Sequence, residues 1–246
     1  MKKYGLIGFP LAHSFSKRYF DEIFSKEAIT DCLFDLYPIE NLDELQSLLN
    51  QNKDLKGLAV TIPHKEQIIP FLSALSSTAK EIKSVNCIVI KKNELIGYNT
   101  DVIGFERSLL PMLESHHLKA LILGTGGASK AVHYVLKKMG IECLFVSRNP
   151  ERNREAIGYD KLNQQFINDY TLIVNCTPIG TFPDVHSKPD IPYQFLGKKH
   201  LLFDLVYNPE ETEFLKEGKL RGTAIKNGME MLEIQAEENW KIWNKG

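Results

Sequence analysis

Two successive series of apolar runs alternating with helical periodicity predict an α/β protein of two domains, an N-terminal mostly parallel α/β domain and a C-terminal Rossmann-type domain. Three observations carry this. Strand-like runs at Tyr4 to Phe9, Cys32 to Pro38, Leu58 to Ile62 and Val85 to Ile90 are separated by segments of helical spacing. The alternation breaks at Gly97 to Gly104, a candidate crossing, and then restarts. The restart holds a strand, glycine turn and helix in sequence: Leu118 to Leu123, Gly124-Thr125-Gly126-Gly127-Ala128-Ser129, and a pattern of Ala131, Val132, Val135, Leu136 and Met139 stopped at Gly140. The expected domains are residues 1–101 and 102–226, with a helical segment, 227–246, returning to the first.

Taken in order, Tyr4 to Phe9 reads as a buried strand ended by Pro10, and Ser14 stands where Phe15 to Phe24 turns helical, so it suits an N-cap. Leu42, Leu45, Leu48 and Leu49 place a helix at Asn41 to Leu49, and Pro63 stops the third strand. Glu66 to Lys83 reads as mainly helical, and Asn93 turns the chain into Leu95 to Tyr98. Ligands of parallel sheets lie at the carboxyl ends of strands, where Thr61, Lys65, Asn99, Thr100 and Asp101 fall. Asn86 is instead near the start of its strand. Beyond the crossing come a helix at Phe105 to Leu113, strands at Ile141 to Val146, Leu172 to Asn175 and Leu201 to Val206, a surface loop at Lys188 to Pro192, and a short strand at Gly222 to Ile225. The last helix, Gly228 to Trp243, buries a stripe of Met229, Leu232, Ala236, Trp240 and Trp243, with Gln235 at its edge.

Gly124, Gly126 and Gly127 let the backbone approach a pyrophosphate, and the first turn of the following helix, from Ala128 and Ser129, offers N–H groups and positive dipole. A site for NAD places a carboxylate about twenty residues on, against the ribose 2′-hydroxyl. Here the second strand ends in Ser147-Arg148-Asn149, with Arg152 beyond. A guanidinium suits a 2′-phosphate, so the expected cofactor is NADP.

The formal net charge is −1, with both signs interspersed, so no nucleic-acid footprint is visible. Cys32, Cys87, Cys143 and Cys176 are far apart and form neither a disulfide framework nor a zinc pattern. No membrane span or secretory segment is read, and the histidines lack metal spacing; the expectation is a cytoplasmic protein, monomer or homodimer, whose partner is a small-molecule substrate, with no nucleic acid, membrane or metal.

Alcohol oxidation with NADP needs a group that takes the hydroxyl proton as the carbonyl forms. Lys65 and Asp101 are the pair chosen, both at strand ends of the first domain. The residues alone leave Lys65 readable as a solvated lysine and Asp101 as an N-cap, and leave open whether Lys65 accepts the proton or stabilises the alkoxide.

Eight stretches then resemble a known family in register. They are Gly8-Phe9-Pro10-Leu11-Ala12-His13-Ser14-Phe15-Ser16, Val60-Thr61-Ile62-Pro63-His64-Lys65, Ser84-Val85-Asn86, Gly97-Tyr98-Asn99-Thr100-Asp101, the glycine loop, Asn175-Cys176-Thr177-Pro178-Ile179-Gly180, Asp204-Leu205-Val206-Tyr207, and Asn227 to Gln235. The chain resembles shikimate dehydrogenase across nearly its whole length. The resemblance implies reduction of 3-dehydroshikimate to shikimate with NADPH, catalysis by Lys65 with Asp101, and substrate contacts from Ser14, Ser16, Thr61, Asn86, Asp101, Tyr207 and Gln235. It implies cofactor contacts from Gly124 to Ser129, from Ser147, Arg148, Asn149 and Arg152, and from Asn175, Thr177, Leu205 and Gly228 toward the nicotinamide. Ala59 departs from the family, which usually has Asn there, and Glu213 replaces a common Pro. Ala59 keeps a quinate-type substrate as an alternative, and a non-catalytic nucleotide-binding module is the rival of another class.

Overall fold

Strands that are for the most part buried along their length, most of them followed by a helix or a 3₁₀ turn, build two separate sheets. The computed structural model describes every residue except Ala12, His13, Asn93, Asn153, Arg154, Glu155 and Gly246, and for Arg152 the backbone alone. The elements of the first part are β1 (Lys2–Gly8), α1 (Phe15–Lys26), β2 (Cys32–Pro38), α2 (Leu45–Gln51), β3 (Leu55–Val60), α3 (His64–Gln67), β4 (Ala74–Leu75), α4 (Ser77–Ile82), β5 (Cys87–Lys91) and β6 (Glu94–Tyr98). Then follow α5 (Asp101–Leu109), β7 (Lys119–Leu123), α6 (Gly127–Lys138), β8 (Glu142–Val146), β9 (Ala156–Ile157), α7 (Gln164–Asp169), β10 (Leu172–Asn175), β11 (Leu201–Asp204), α8 (Glu213–Lys219), β12 (Ala224–Lys226) and α9 (Met229–Asn244).

The chain divides into two compact units. One is Met1–Thr100 together with the residues from Gln235 onward, and the other is Asp101–Ile234. The C-terminal segment is therefore shared, since α9 begins in the second unit and ends in the first.

In the first unit the strand order is β2-β1-β3-β5-β6-β4. Neighbours pair in parallel except β5, which runs against both β3 and β6. Side chains alternate across the sheet. Tyr4, Leu6 and Ala59 join Phe20 and Phe24 of α1 and Ala236 and Trp243 of α9 in one cluster, while Ile7, Leu58 and Val60 join Leu45 of α2 and Ala79 of α4 in another. Trp243 stacks on Tyr4 at 5.1 Å between ring centroids and donates from Nε1 to the Ile88 carbonyl at 3.0 Å. The indole lies where a side chain at Gly57 would be, 2.3 Å from a Cβ built there, so a glycine is required beneath it.

The second unit is a wholly parallel sheet in the order β12-β11-β10-β7-β8-β9. Its chain starts at the centre with β7, builds outward through β8 and β9, then returns to lay down β10, β11 and β12 on the other side. That reversal creates a switch point between β7 and β10, where α/β sheets bind ligands.

The structure differs from the sequence reading in particulars. Glu66 to Lys83 is not one helix: Pro70 lies in a 3₁₀ turn, Ile69–Phe71, β4 follows, and α4 starts afresh at the N-cap Ser76, whose Oγ accepts the Ala79 N–H at 3.2 Å. The helix expected over Phe105 to Leu113 is α5, which begins at Asp101 and gives way at Pro111 to a 3₁₀ turn. Asp101 is thus the first helical residue rather than a cap. Among the described residues no helix is long and apolar enough to cross a membrane.

Candidate active site

The reversal of β5 explains the position of Asn86. Because β5 runs opposite to its neighbours, its N-terminal side lies at the edge where β3 and β6 end. The Val60 N–H donates to the Asn86 carbonyl at 2.8 Å, the Asn86 N–H to Tyr98 at 3.1 Å, and the Val85 N–H to the Lys65 carbonyl at 2.7 Å. Asn86 and the backbone of Lys65 therefore share one rim with Thr61, whose own N–H donates to Ile7 at 2.9 Å.

On that rim four polar side chains lock together. The buried Asn86 accepts the Thr100 N–H on Oδ1 at 2.7 Å, and its Nδ2 donates to Thr100 Oγ1 at 2.9 Å and Gln235 Oε1 at 3.3 Å. Thr100 Oγ1 donates to Asn239 Oδ1 at 2.7 Å, and Asn239 Nδ2 donates to Gln235 Oε1 at 3.2 Å. Gln235 and Asn239 are one helical turn apart on α9, which explains how a single helix face delivers both. Buried amides of this kind hold a fixed orientation because each misalignment strands a donor or acceptor. Sequence reasoning missed Asn239; its spacing of four from Gln235, beside the buried Ala236, is the signal that finds it.

Ser14 caps α1, its Oγ accepting the Ser16 N–H at 3.3 Å, so the capping role is present. Lys65 is half-buried in the first turn of α3. The preceding His64 is fully buried with Nε2 2.8 Å from the Ile39 carbonyl, which anchors that turn. Ala59 is buried between its register partners Leu6 and Cys87. Asp101, 4% exposed, opens the second unit directly after Thr100, and Tyr207 is half-buried just after β11.

In the second unit the glycine loop fits a pyrophosphate. Gly124 has φ +101°, a conformation that favours glycine, and a Cβ at Gly126 would meet nothing within 4 Å, so the approach is open. Gly126 caps α6 with no side chain to take up the first-turn N–H groups. Ser129, in place of a third glycine, is buried and donates to the Gly126 carbonyl at 2.6 Å, so its hydroxyl is spent inside the turn.

At the end of β8, Ser147 Oγ accepts the Asn149 N–H at 3.1 Å and shapes the turn that carries Arg148. Ser147 and Arg148 line a cavity of about 400 Å³ with Tyr159, Lys188 and Asp190. Burial pushes the Tyr159 hydroxyl up to about 12 against the opposing pull of Arg148. Arg148 is the cation this lining offers a 2′-phosphate, since the Lys188 ammonium is paired with Glu217 and the carboxylates of Asp160 and Asp190 stand in the same wall. Arg152 ends a 3₁₀ turn, and its side chain lies outside the described residues.

On the other side of the switch point, Thr177 donates through both N–H and Oγ1 to Asn175 Oδ1, at 3.0 and 2.6 Å. The Leu205 N–H donates to the Asn175 carbonyl at 2.9 Å, and Gly228 sits so close that a Cβ there would lie 2.2 Å from the Leu205 carbonyl oxygen. Among the described residues no group of three or more His, Cys, Asp or Glu side chains could hold a metal ion.

Comparison with known proteins accords with this geometry. Residues 6–88 match the family model for the shikimate dehydrogenase substrate binding domain. A shikimate dehydrogenase (NADP(+)) of Desulforamulus reducens is 34% identical over 97% of this chain and 88% of its own. The crystal structure of shikimate dehydrogenase from Aquifex aeolicus superposes with a TM-score of 0.89 at 33% identity, covering 100% of this chain and 93% of that one. The Thermus thermophilus enzyme, in complex with NADP(H) and shikimate, does so with a TM-score of 0.87 at 27% identity, covering 99% and 94%. With a mixed sheet edged by interlocked amides, a parallel sheet opened by a glycine loop, and relatives matched almost end to end, the chain belongs to the shikimate dehydrogenase family.

Proposed function

We propose that the protein reduces 3-dehydroshikimate to shikimate with NADPH, reversibly, as an oxidoreductase of the shikimate pathway. The observation that carries the substrate reading is the interlocked set of Asn86, Thr100, Gln235 and Asn239 at the rim that Lys65 shares through its backbone. An interlock of this kind fixes the orientation in which the rim meets a ligand, which suits a ring bearing several hydroxyl groups in a set geometry.

NADPH, when bound, supplies the hydride for the ring carbonyl carbon. Gly124, Gly126 and Gly127, with the first turn of α6, hold the pyrophosphate by backbone N–H groups. Ser147, Arg148 and Asn149 take the adenosine phosphate, and Asn175, Thr177, Leu205 and Gly228 frame the nicotinamide half. Lys65 hydrogen-bonds to the oxygen that gains charge and gives it a proton, stabilising the transition state more than the ground state. Asp101 is the carboxylate through which that proton is replenished, and it accepts from a ring hydroxyl. Ser14, Ser16 and Tyr207 hold the substrate carboxylate through their hydroxyls, while Thr61, Asn86 and Gln235 hold the ring hydroxyls.

The test is a spectrophotometric assay at 340 nm with shikimate and quinate, each with NADP⁺ and NAD⁺. Shikimate with NADP⁺ gives the highest kcat/KM. Faster turnover of quinate with NAD⁺ would overturn the assignment.

A further inference from the structure

A carboxylate lies beneath the nicotinamide side of the second unit without touching its surface. Asp204, the last residue of β11, is fully buried. It accepts three hydrogen bonds, from Asn175 Nδ2 at 2.9 Å, the Val206 N–H at 3.0 Å and Thr212 Oγ1 at 2.6 Å. Among the described residues no cation pairs with it, so neutral donors alone meet its charge.

Those donors belong to three different segments: the end of β10, the turn after β11 and the N-cap of α8. The directions of the hydrogen bonds follow from the carboxylate, which can only accept. Because Asn175 must present Nδ2 to Asp204, its Oδ1 faces the other way and accepts from Thr177 N–H and Oγ1. Because Thr177 donates its hydroxyl proton to Asn175, its lone pairs are left to accept the Ile179 N–H at 3.3 Å. One buried group thereby sets the orientation of a relay running from the floor of the sheet to the loop Asn175 to Ile179. The sheet order puts that loop at the end of β10, across the switch point from β8 and Arg148. A dinucleotide whose pyrophosphate lies on the glycine loop after β7 directs its adenosine toward β8 and its nicotinamide toward β10 and β11.

We propose that Asp204 is a positioning residue for the nicotinamide half of the cofactor, acting through Asn175 and Thr177 rather than by contact. The inference rests on reading the second unit as the NADP domain. Asn175 Nδ2 and the Val206 N–H share one oxygen of Asp204, Oδ1, and Thr212 meets the other. Leucine at 204 has a similar shape but no acceptor, so Asn175 loses the partner that fixes its orientation, while the adenosine end, built from Ser147 and Arg148 on the other side of β7, is untouched.

The experiment compares adenosine 2′,5′-bisphosphate, which has no nicotinamide, with NADP⁺ by calorimetric titration of the wild type and Asp204→Leu. The variant binds the bisphosphate within about twofold of the wild type, loses about tenfold in NADP⁺ affinity, the worth of one well-placed hydrogen bond, and loses kcat with shikimate at saturating cofactor. Equal weakening of both ligands would mean that Asp204 merely supports the unit, and unchanged NADP⁺ affinity would mean that the relay does not reach the nicotinamide; either overturns the proposal. Where Asp204→Leu does not fold, Thr177→Val, which leaves the buried carboxylate in place, shows the same split in smaller measure, and its absence there is equally decisive. The binding arms use no substrate, so a chain that binds NADP⁺ yet fails to oxidise shikimate refutes the activity alone, whereas one that binds neither ligand refutes the domain reading and this proposal together.

Discussion

Charge on Asp204 costs the folded protein stability at neutral pH, and the cost can be measured. Burial pushes its carboxyl up to about 6 from 3.8, although the hydrogen bonds from Thr212, Val206 and Asn175 pull the other way. The folded chain therefore holds this proton more tightly than the unfolded chain does. The stabilising contribution of the protonated form is fully present below about pH 4 and is lost as pH rises through about 6. The gap corresponds to about 3 kcal/mol. Asp204→Asn removes the titration, so the stability of the wild type minus that of the variant should fall by about 2.5 kcal/mol between pH 4 and pH 7, most of the full gap. Neither Cys176 nor Tyr193, whose ionisation Asp204 opposes, titrates in that window, because burial holds both thiol and phenol high. Urea unfolding at a series of pH values measures the difference. Circular dichroism is the probe, since both tryptophans, Trp240 and Trp243, lie in the first unit. A difference that is flat with pH, or that grows as pH rises, would show that the three donors outweigh the burial and would refute this reasoning.

Three further outcomes are expected. Lys65→Ala should lower kcat on the order of a hundredfold or more while changing KM for shikimate far less, as steady-state kinetics would show; equal loss in both would argue for simple binding. Arg148→Ala should weaken NADP⁺ by about 1.5 to 3 kcal/mol, the range for a hydrogen bond to a charged group, and leave the use of NAD⁺ nearly unchanged in the same assay. Trp243→Ala should destabilise the first unit by about 4 kcal/mol, because it opens a cavity against Tyr4, Phe20 and Phe34 and strands the Ile88 carbonyl. Thermal unfolding should then shift down by about 10 °C.

What could be read from the residues was what is decided locally. The unit from β7 through the glycine loop to α6 is legible because its strand, its turn and its helix are set within one short stretch, down to the positive φ of +77° at the stop, Gly140. The reversed direction of β5 was not legible: alternation of strands and helices implies parallel neighbours, and only the short turn before β6 hints at a hairpin. The consequence fell on Asn86, set apart from the strand-end groups by the sequence reading although it stands on the same rim. Asn239 was hidden for another reason, since its partner Thr100 is 139 residues away and no local pattern reports such a meeting. Helices α7 and α8 escaped notice because they are only 6 and 7 residues long; their caps, Asn163 and Thr212, were the available signal. Pro70 was likewise visible as the break in the segment read as one helix.

The order in which the chain is synthesised adds a consequence to the division of α9. Asp101–Ile234 is one uninterrupted stretch, whereas its companion needs a piece that is made after it. Until Trp243 emerges, Tyr4, Phe20, Phe24 and Phe34 present an aromatic surface with its lid missing. The first unit is thus sealed last, after the whole of the second has been translated, and until then its aromatic face is open to chaperones.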